Sequence, residues 1–178
     1  MTCGKTLAGE AFSKEQGLPF IDLDQYIEKQ EKMTVLEIFR KKGESYFRTL
    51  EVKCLQEIIS QNEDLILSVG GGTPMNPECA KMLKEKTFCI YLQCSPAILG
   101  ERLSYLYHNR PTAVDLLAQA TAAKTKKQRE EIFTAWATEQ LKTKEPHYLA
   151  CSHAQINTDN FHLPTICSSL RNFLPVTQ

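Results

Sequence analysis

Leu65-Ile66-Leu67-Ser68-Val69-Gly70-Gly71-Gly72-Thr73-Pro74 joins a continuous apolar run to three consecutive glycines. The run suits a strand covered on both faces, as in a parallel sheet. Three glycines in a row are costly in chain entropy. They suit a backbone that turns sharply and comes close to a ligand. A merely flexible turn would not need three of them directly after a core strand.

Outward from this stretch, strands and helices alternate. Pro19 to Asp24 reads as a short buried strand running into two carboxylates, Phe88 to Leu92 as another, and Ala154 to Asn157 as a third. Residues 5–16 read as a helix with Leu7, Ala8, Ala11 and Phe12 on one face, closed by Gly17. Thr34 and Glu37 form a capping-box signature. The helix they open is interrupted at Gly43, and a second runs from about Glu44 to Ser60 with Phe47, Leu50, Cys54 and Ile58 inward. Asn76-Pro77 and Ser95-Pro96 open two more helices. Lys126 to Leu141 is an amphipathic helix, with Pro146-His147-Tyr148 after it, and the last helix spans about Leu163 to Phe173. Residues 112–124 carry no strong core stripe and read as a mobile segment. This alternation predicts an α/β domain with a parallel sheet, in which ligands bind outside the carboxyl ends of the strands.

Candidate chemistry gathers at that edge. Gly4-Lys5-Thr6 matches the end of the phosphate-binding loop G-x-x-x-x-G-K-[ST], whose glycine admits phosphate to backbone N–H groups, whose lysine meets the β/γ-phosphates and whose hydroxyl serves Mg²⁺. As a bare tripeptide it is also an ordinary helix start. Asp22 and Asp24 follow the next strand. They read either as site carboxylates or as a helix cap and a solvated acid, with Asp24 capping a helix from about Gln25. Arg48 reads on its own as one partner in a surface pair with Glu51.

Composition sets bounds. The chain has 178 residues, 42% hydrophobic and 24% charged, which suits one globular domain with a real core. Lys+Arg and Asp+Glu are both 21, which argues against a general binder of nucleic acid or anionic membrane. Seven cysteines without a C-x-x-C pair, and no secretory leader, predict reduced thiols and a cytoplasmic protein. A monomer is expected.

Together these stretches resemble shikimate kinase, a phosphate-loop kinase of the nucleoside-monophosphate-kinase type. The resemblance covers nearly the whole chain. It rests on GKT at 4–6, LPFIDLD at 18–24, IFRKKGESYFRTLE at 38–51, VGGGTP at 69–74, YLQCSP at 91–96, NRP at 109–111 and KEPHY at 144–148. It implies a three-layer αβα domain over residues 1–178, with five parallel strands in the family and a lid at about 109–125. The implied reaction is ATP-dependent phosphorylation of the 3-hydroxyl of shikimate, with Mg²⁺. By motif, Gly4 and Lys5 would hold phosphate, and Thr6 and Asp22 the metal. Asp24 would bind and orient the acceptor hydroxyl. Arg48 would pair with the shikimate carboxylate, and Gly70, Gly71 and Gly72 would line the ring. Arg110 would close over the phosphates. Arg102 lies near the adenine-stacking arginine, one residue off by counting.

Three departures accompany the resemblance. The first glycine of the loop and the central strand before it would precede Met1, so a start upstream is expected. Lys144 stands where the family carries a second carboxylate-binding arginine, which loses the bidentate fork. Thr112 and Ala113 replace the leucines that usually follow R-P. Two alternatives stay open: a catalytically impaired binding domain, and a related small-molecule kinase such as gluconate kinase.

Overall fold

The computed structural model describes residues 3–61, 63–106, 116 and 120–174. Helix α1 (Lys5–Gln16) leads to strand β1 (Phe20–Asp22) and helix α2 (Leu23–Glu31). Helix α3 (Val35–Ser60) follows, with Gly43 in a left-handed-side conformation, φ 84°, that breaks its regular backbone into the two predicted pieces. Strand β2 (Ile66–Ser68), a short turn of 3₁₀ helix (Thr73–Met75), helix α4 (Pro77–Lys86), strand β3 (Ile90–Gln93) and helix α5 (Pro96–Leu106) come next. Helix α6 (Lys126–Cys151), strand β4 (Ala154–Asn157) and helix α7 (Leu163–Arg171) complete the described chain.

The strands form two parallel pairs. Phe20, Ile21 and Asp22 of β1 stand opposite Ile66, Leu67 and Ser68 of β2. Ile90 to Gln93 of β3 stand opposite Ala154 to Asn157 of β4. Between the pairs runs an apolar cleft lined by Val69 and Gly70 on one side and Ile90, Tyr91 and Leu92 on the other. On the β1–β2 side a core of Leu23, Ile27, Ile38, Leu55 and Ile58 is closed to solvent. A second core joins Ala8 and Phe12 of α1 to Ile66, Ile90, Leu92 and Ile156, and so touches both strand pairs.

The helix boundaries follow their caps, with two corrections. Thr34 makes the capping box with Glu37, and the Asn76 side chain caps α4 ahead of Pro77. The expectation that Asp24 caps a helix from Gln25 is wrong. Asp22 is the N-cap, accepting from the Asp24 and Gln25 N–H groups, and α2 starts at Leu23. Asp24 is thereby left in the first turn, free of capping duty. The helix predicted to stop at Leu141 instead runs on through Pro146 to Cys151. A proline inside a helix costs about 3 kcal/mol, and contacts on both sides of it hold the helix together. Tyr91 Oη donates to Glu145 Oε1 at 3.1 Å, Tyr148 Oη donates to the Gly71 carbonyl at 2.7 Å, and Cys151 is buried. Local propensity is overridden by tertiary contacts.

Candidate active site

The carboxyl ends of β1 and β2 bring the predicted residues together. Gly4 sits at φ 91°, caps α1, and lies against the Phe161 ring, so a side chain there would be doubly excluded. The turn it makes starts α1 with Lys5 and Thr6 in its first turn. Thr6 Oγ1 donates to Asp22 Oδ2 at 3.0 Å. The other oxygen of the same carboxylate caps α2. Lys5, Gly70 and Gly71 line one cleft.

Two of the three consecutive glycines meet side chains at close range. A Cβ at Gly70 would lie 3.1 Å from Asp24 Oδ1, and one at Gly72 would lie 2.6 Å from Arg48 Nη1. Arg48 and Asp24 therefore both lie against the loop after β2. Arg48 Nη2 donates to Glu44 Oε1 at 2.9 Å, and Arg48 Nη1 donates to Glu51 Oε2. The reading of Arg48 and Glu51 as a surface pair is corrected: Glu51 is 1% exposed. Its second oxygen, Oε1, accepts from the buried Thr73 hydroxyl at 2.7 Å. Glu51 thus ties the arginine to the turn that follows the glycines.

Electrostatics at this cluster are asymmetric. Burial, with the Asp22 and Glu51 carboxylates adding to it, pushes the Asp24 carboxyl up to about 6, against the opposing pull of Lys5. Burial also lowers the Lys144 ammonium, and the Arg48 guanidinium lowers it further. Lys144 of α6 is thus within electrostatic reach of Arg48. The Glu44 carboxylate acts on both cations, pairing with Arg48 at 2.9 Å and opposing the downward shift at Lys144.

Not every predicted residue joins this group. Arg102 of α5 bonds to the carbonyls of Thr158 and Asp159 at 2.8 and 3.2 Å, with its guanidinium over Phe161. It therefore neighbours Gly4 through that ring and does not reach the Arg48 corner. Arg110, Thr112 and Ala113 lie outside the described residues. Three contributors escape a reading of the sequence. Glu51 and Thr73 pair across 22 positions, and Tyr148 reaches Gly71 across 77. Only the position of Glu51, one helical turn from Arg48, could have hinted at its role.

Among the described residues no group of three or more His, Cys, Asp and Glu side chains converges as a metal site. Mg²⁺ does not need one, because it takes one or two carboxylates with substrate phosphates and water. The hard oxygens of Thr6 and Asp22, side by side at the start of α1, fit that requirement.

These features define an α/β domain of the phosphate-loop kinase class, with Lys5 at the start of α1 and the glycine loop on one cleft. The sequence profile of the shikimate kinase family matches residues 1–170. A shikimate kinase of Dictyoglomus turgidum is 35% identical over 162 residues, covering 90% of this chain and 84% of that one. One of Staphylococcus aureus (strain JH9) is 42% identical over 113 residues, 64% of this chain and 63% of that one. The solved shikimate kinase of Bacteroides thetaiotaomicron aligns with a TM-score of 0.80 at 27% identity, covering 97% of this chain and 92% of that one. That of Acinetobacter baumannii, in complex with shikimate, aligns at 0.75 and 28%, covering 97% and 90%. The chain belongs to the shikimate kinase family, and so to the phosphotransferases.

Two outcomes test this electrostatic frame. Thr73→Val should lower unfolding stability by about 1–3 kcal/mol in a denaturant titration, because it strips a buried oxygen of Glu51 of its donor. Asp24 has a folded pKa above its unfolded value, so the native state binds the extra proton between about pH 4 and 6. Stability from this group is present below that window and lost as pH rises through it. Asp24→Asn should therefore gain stability relative to wild type as pH is raised from 4 to 6, with the difference level above pH 7.

Proposed function

We propose that the chain transfers the γ-phosphoryl group of ATP to the 3-hydroxyl of shikimate. The observation that carries this is the convergence of Asp24 and Arg48 on the glycine loop that Lys5 also lines, with Lys144 in electrostatic reach of Arg48. Shikimate is a ring bearing hydroxyls and one carboxylate. Arg48 suits the carboxylate, with its guanidinium fork held in place by Glu51 and Glu44. Lys144 adds a second charge there without a fork. Gly70, Gly71 and Gly72 would line the ring, by the family motif.

Asp24 is then the group that orients the attacking hydroxyl and takes its proton. A carboxyl near pH 6 is ionised at neutral pH and remains basic enough to accept a proton. Lys5 and the N–H groups at the start of α1 hold the transferring phosphate, where positioning and charge neutralisation dominate the chemistry. Thr6 and Asp22 would hold Mg²⁺, which neutralises phosphate charge when bound. We assign Arg102 to the adenine side, Arg110 to a lid over about 109–125, and residues 1–178 to one domain. A monomeric, cytoplasmic enzyme that binds neither nucleic acid nor membrane fits the balanced charge. No helix among the described residues is long and apolar enough to cross a membrane.

A coupled ADP-release assay tests the reading: turnover should require shikimate and should not occur with gluconate. ADP release indifferent to shikimate would overturn it. Arg48→Ala should raise KM for shikimate about 10- to 100-fold, the size of one or two charge-assisted hydrogen bonds, with KM for ATP little changed. Equal increases for both substrates would remove Arg48 from the acceptor site.

A further inference from the structure

Two thiols meet in the cleft between the strand pairs, apart from the Asp24–Arg48 corner. Cys89 precedes β3, and Cys151 is the last residue of α6. Both line the cleft, which opens to solvent. Their backbones are locked together. The His153 N–H donates to the Cys89 carbonyl at 2.7 Å, and the Cys89 N–H donates to His153 Nδ1 at 3.0 Å. The turn that leaves α6 is therefore pinned beside Cys89, the two thiols are close enough to shift each other's ionisation, and Cys151 Sγ also donates to the Tyr148 carbonyl at 3.5 Å. Lys84 Nζ donates to the Ser152 carbonyl at 3.1 Å, which sets an ammonium next to Cys151.

The other cysteines lack this arrangement. Cys54 and Cys79 share a core with Cys151 but do not line the cleft, and burial pushes Cys79 up to about 12. Cys167 lies in the core under α7. Cys3 and Cys94 share the cleft: burial raises the Cys3 thiol but the Lys5 ammonium helps bring it below its ordinary value, and the Cys94 sulfur accepts from Arg102 Nη1 at 3.4 Å.

We propose that Cys89 and Cys151 are a site of oxidative modification, where a peroxide converts the paired thiols to an intramolecular disulfide. Cys151 is the nucleophile. The neighbouring Cys89 thiol holds the Cys151 thiol below the usual range, with the Lys84 ammonium acting in the same direction, while Cys89 is pushed up. The thiolate is the reactive form. Cys151 Sγ attacks one peroxide oxygen; the O–O bond breaks, an S–O bond forms, and the departing hydroxide takes a proton to leave as water. The Cys89 thiol then gives up its proton and attacks Cys151 Sγ. The S–S bond forms, the S–O bond breaks, and the hydroxyl leaves with that proton as a second water. Two sulfurs lose two electrons in total, and one peroxide gains them.

The test is stoichiometric treatment of the full chain with hydrogen peroxide, then denaturation, alkylation and mass spectrometry. The untreated chain has seven cysteines to alkylate. The expected product has two fewer alkylated sites, a peptide cross-link between Cys89 and Cys151, and full recovery of thiols with dithiothreitol. Cys151→Ser should keep all its remaining thiols under the same treatment. Cys89→Ser should stop at a sulfenic acid on Cys151, trapped there by dimedone. Retention of seven alkylated thiols in the wild type would overturn the proposal. So would a cross-link through any other cysteine, or the absence of a dimedone adduct at Cys151 in Cys89→Ser.

Discussion

A carboxylate closed to solvent constrains everything around it, and in this chain that carboxylate is Glu51. Leaving water costs an ion several kcal/mol, recovered only with good pairing and full hydrogen bonding. Glu51 meets both conditions with one cation and one hydroxyl. The consequences spread outward. Arg48 is drawn across the glycine loop, so position 72 has no room for a side chain. Thr73 must face inward, which sets the turn after the loop. The negative charge of Glu51, near Asp24, helps keep that acid proton-hungry. A residue that need not touch substrate thus fixes the posture of two residues suited to touch it.

Several side chains around this centre serve two elements at once. Asp22 caps α2 with one oxygen and receives Thr6 with the other, so the start of one helix is referenced to the start of another. Tyr148 does the same between α6 and the glycine loop. Such sharing is how short strands of three or four residues can support a defined site. The ladders are too brief to fix geometry alone, and side-chain bonds between loops supply the remaining constraint.

The sequence carried most of the element plan and the outline of the site. Val69 onward was legible because an apolar strand running into three glycines has few structural meanings. Thr34, Asn76 and Gly43 announced their caps and break by local chemistry. Membership of the shikimate kinase family accords with the motif order from Gly4 to Tyr148. What escaped notice was non-local. Arg48 and Glu51 looked like a surface pair because helix spacing cannot report that Glu51 is roofed by Thr73. Pro146 looked like a stop because its cost is local and its compensation is distant. The choice between Asp22 and Asp24 as cap depended on a two-residue shift of the helix start, which propensity does not resolve.

Helix α1 gives the molecule its mechanical unity. Ala8 and Phe12 stand in a core that reaches Ile66 of one strand pair and Ile90, Leu92 and Ile156 of the other. The pairs share no ladder among the described residues, so contact between them passes through that helix and through α6, whose Glu145 and Tyr148 reach β3 and the glycine loop. The same helix begins at Gly4 and carries Lys5 and Thr6. Ordering of its first turn by a bound phosphate would therefore stiffen both halves together, and loosening of that turn would weaken their coupling. The cooperativity of unfolding and occupancy of the phosphate site are in this way two readings of one element.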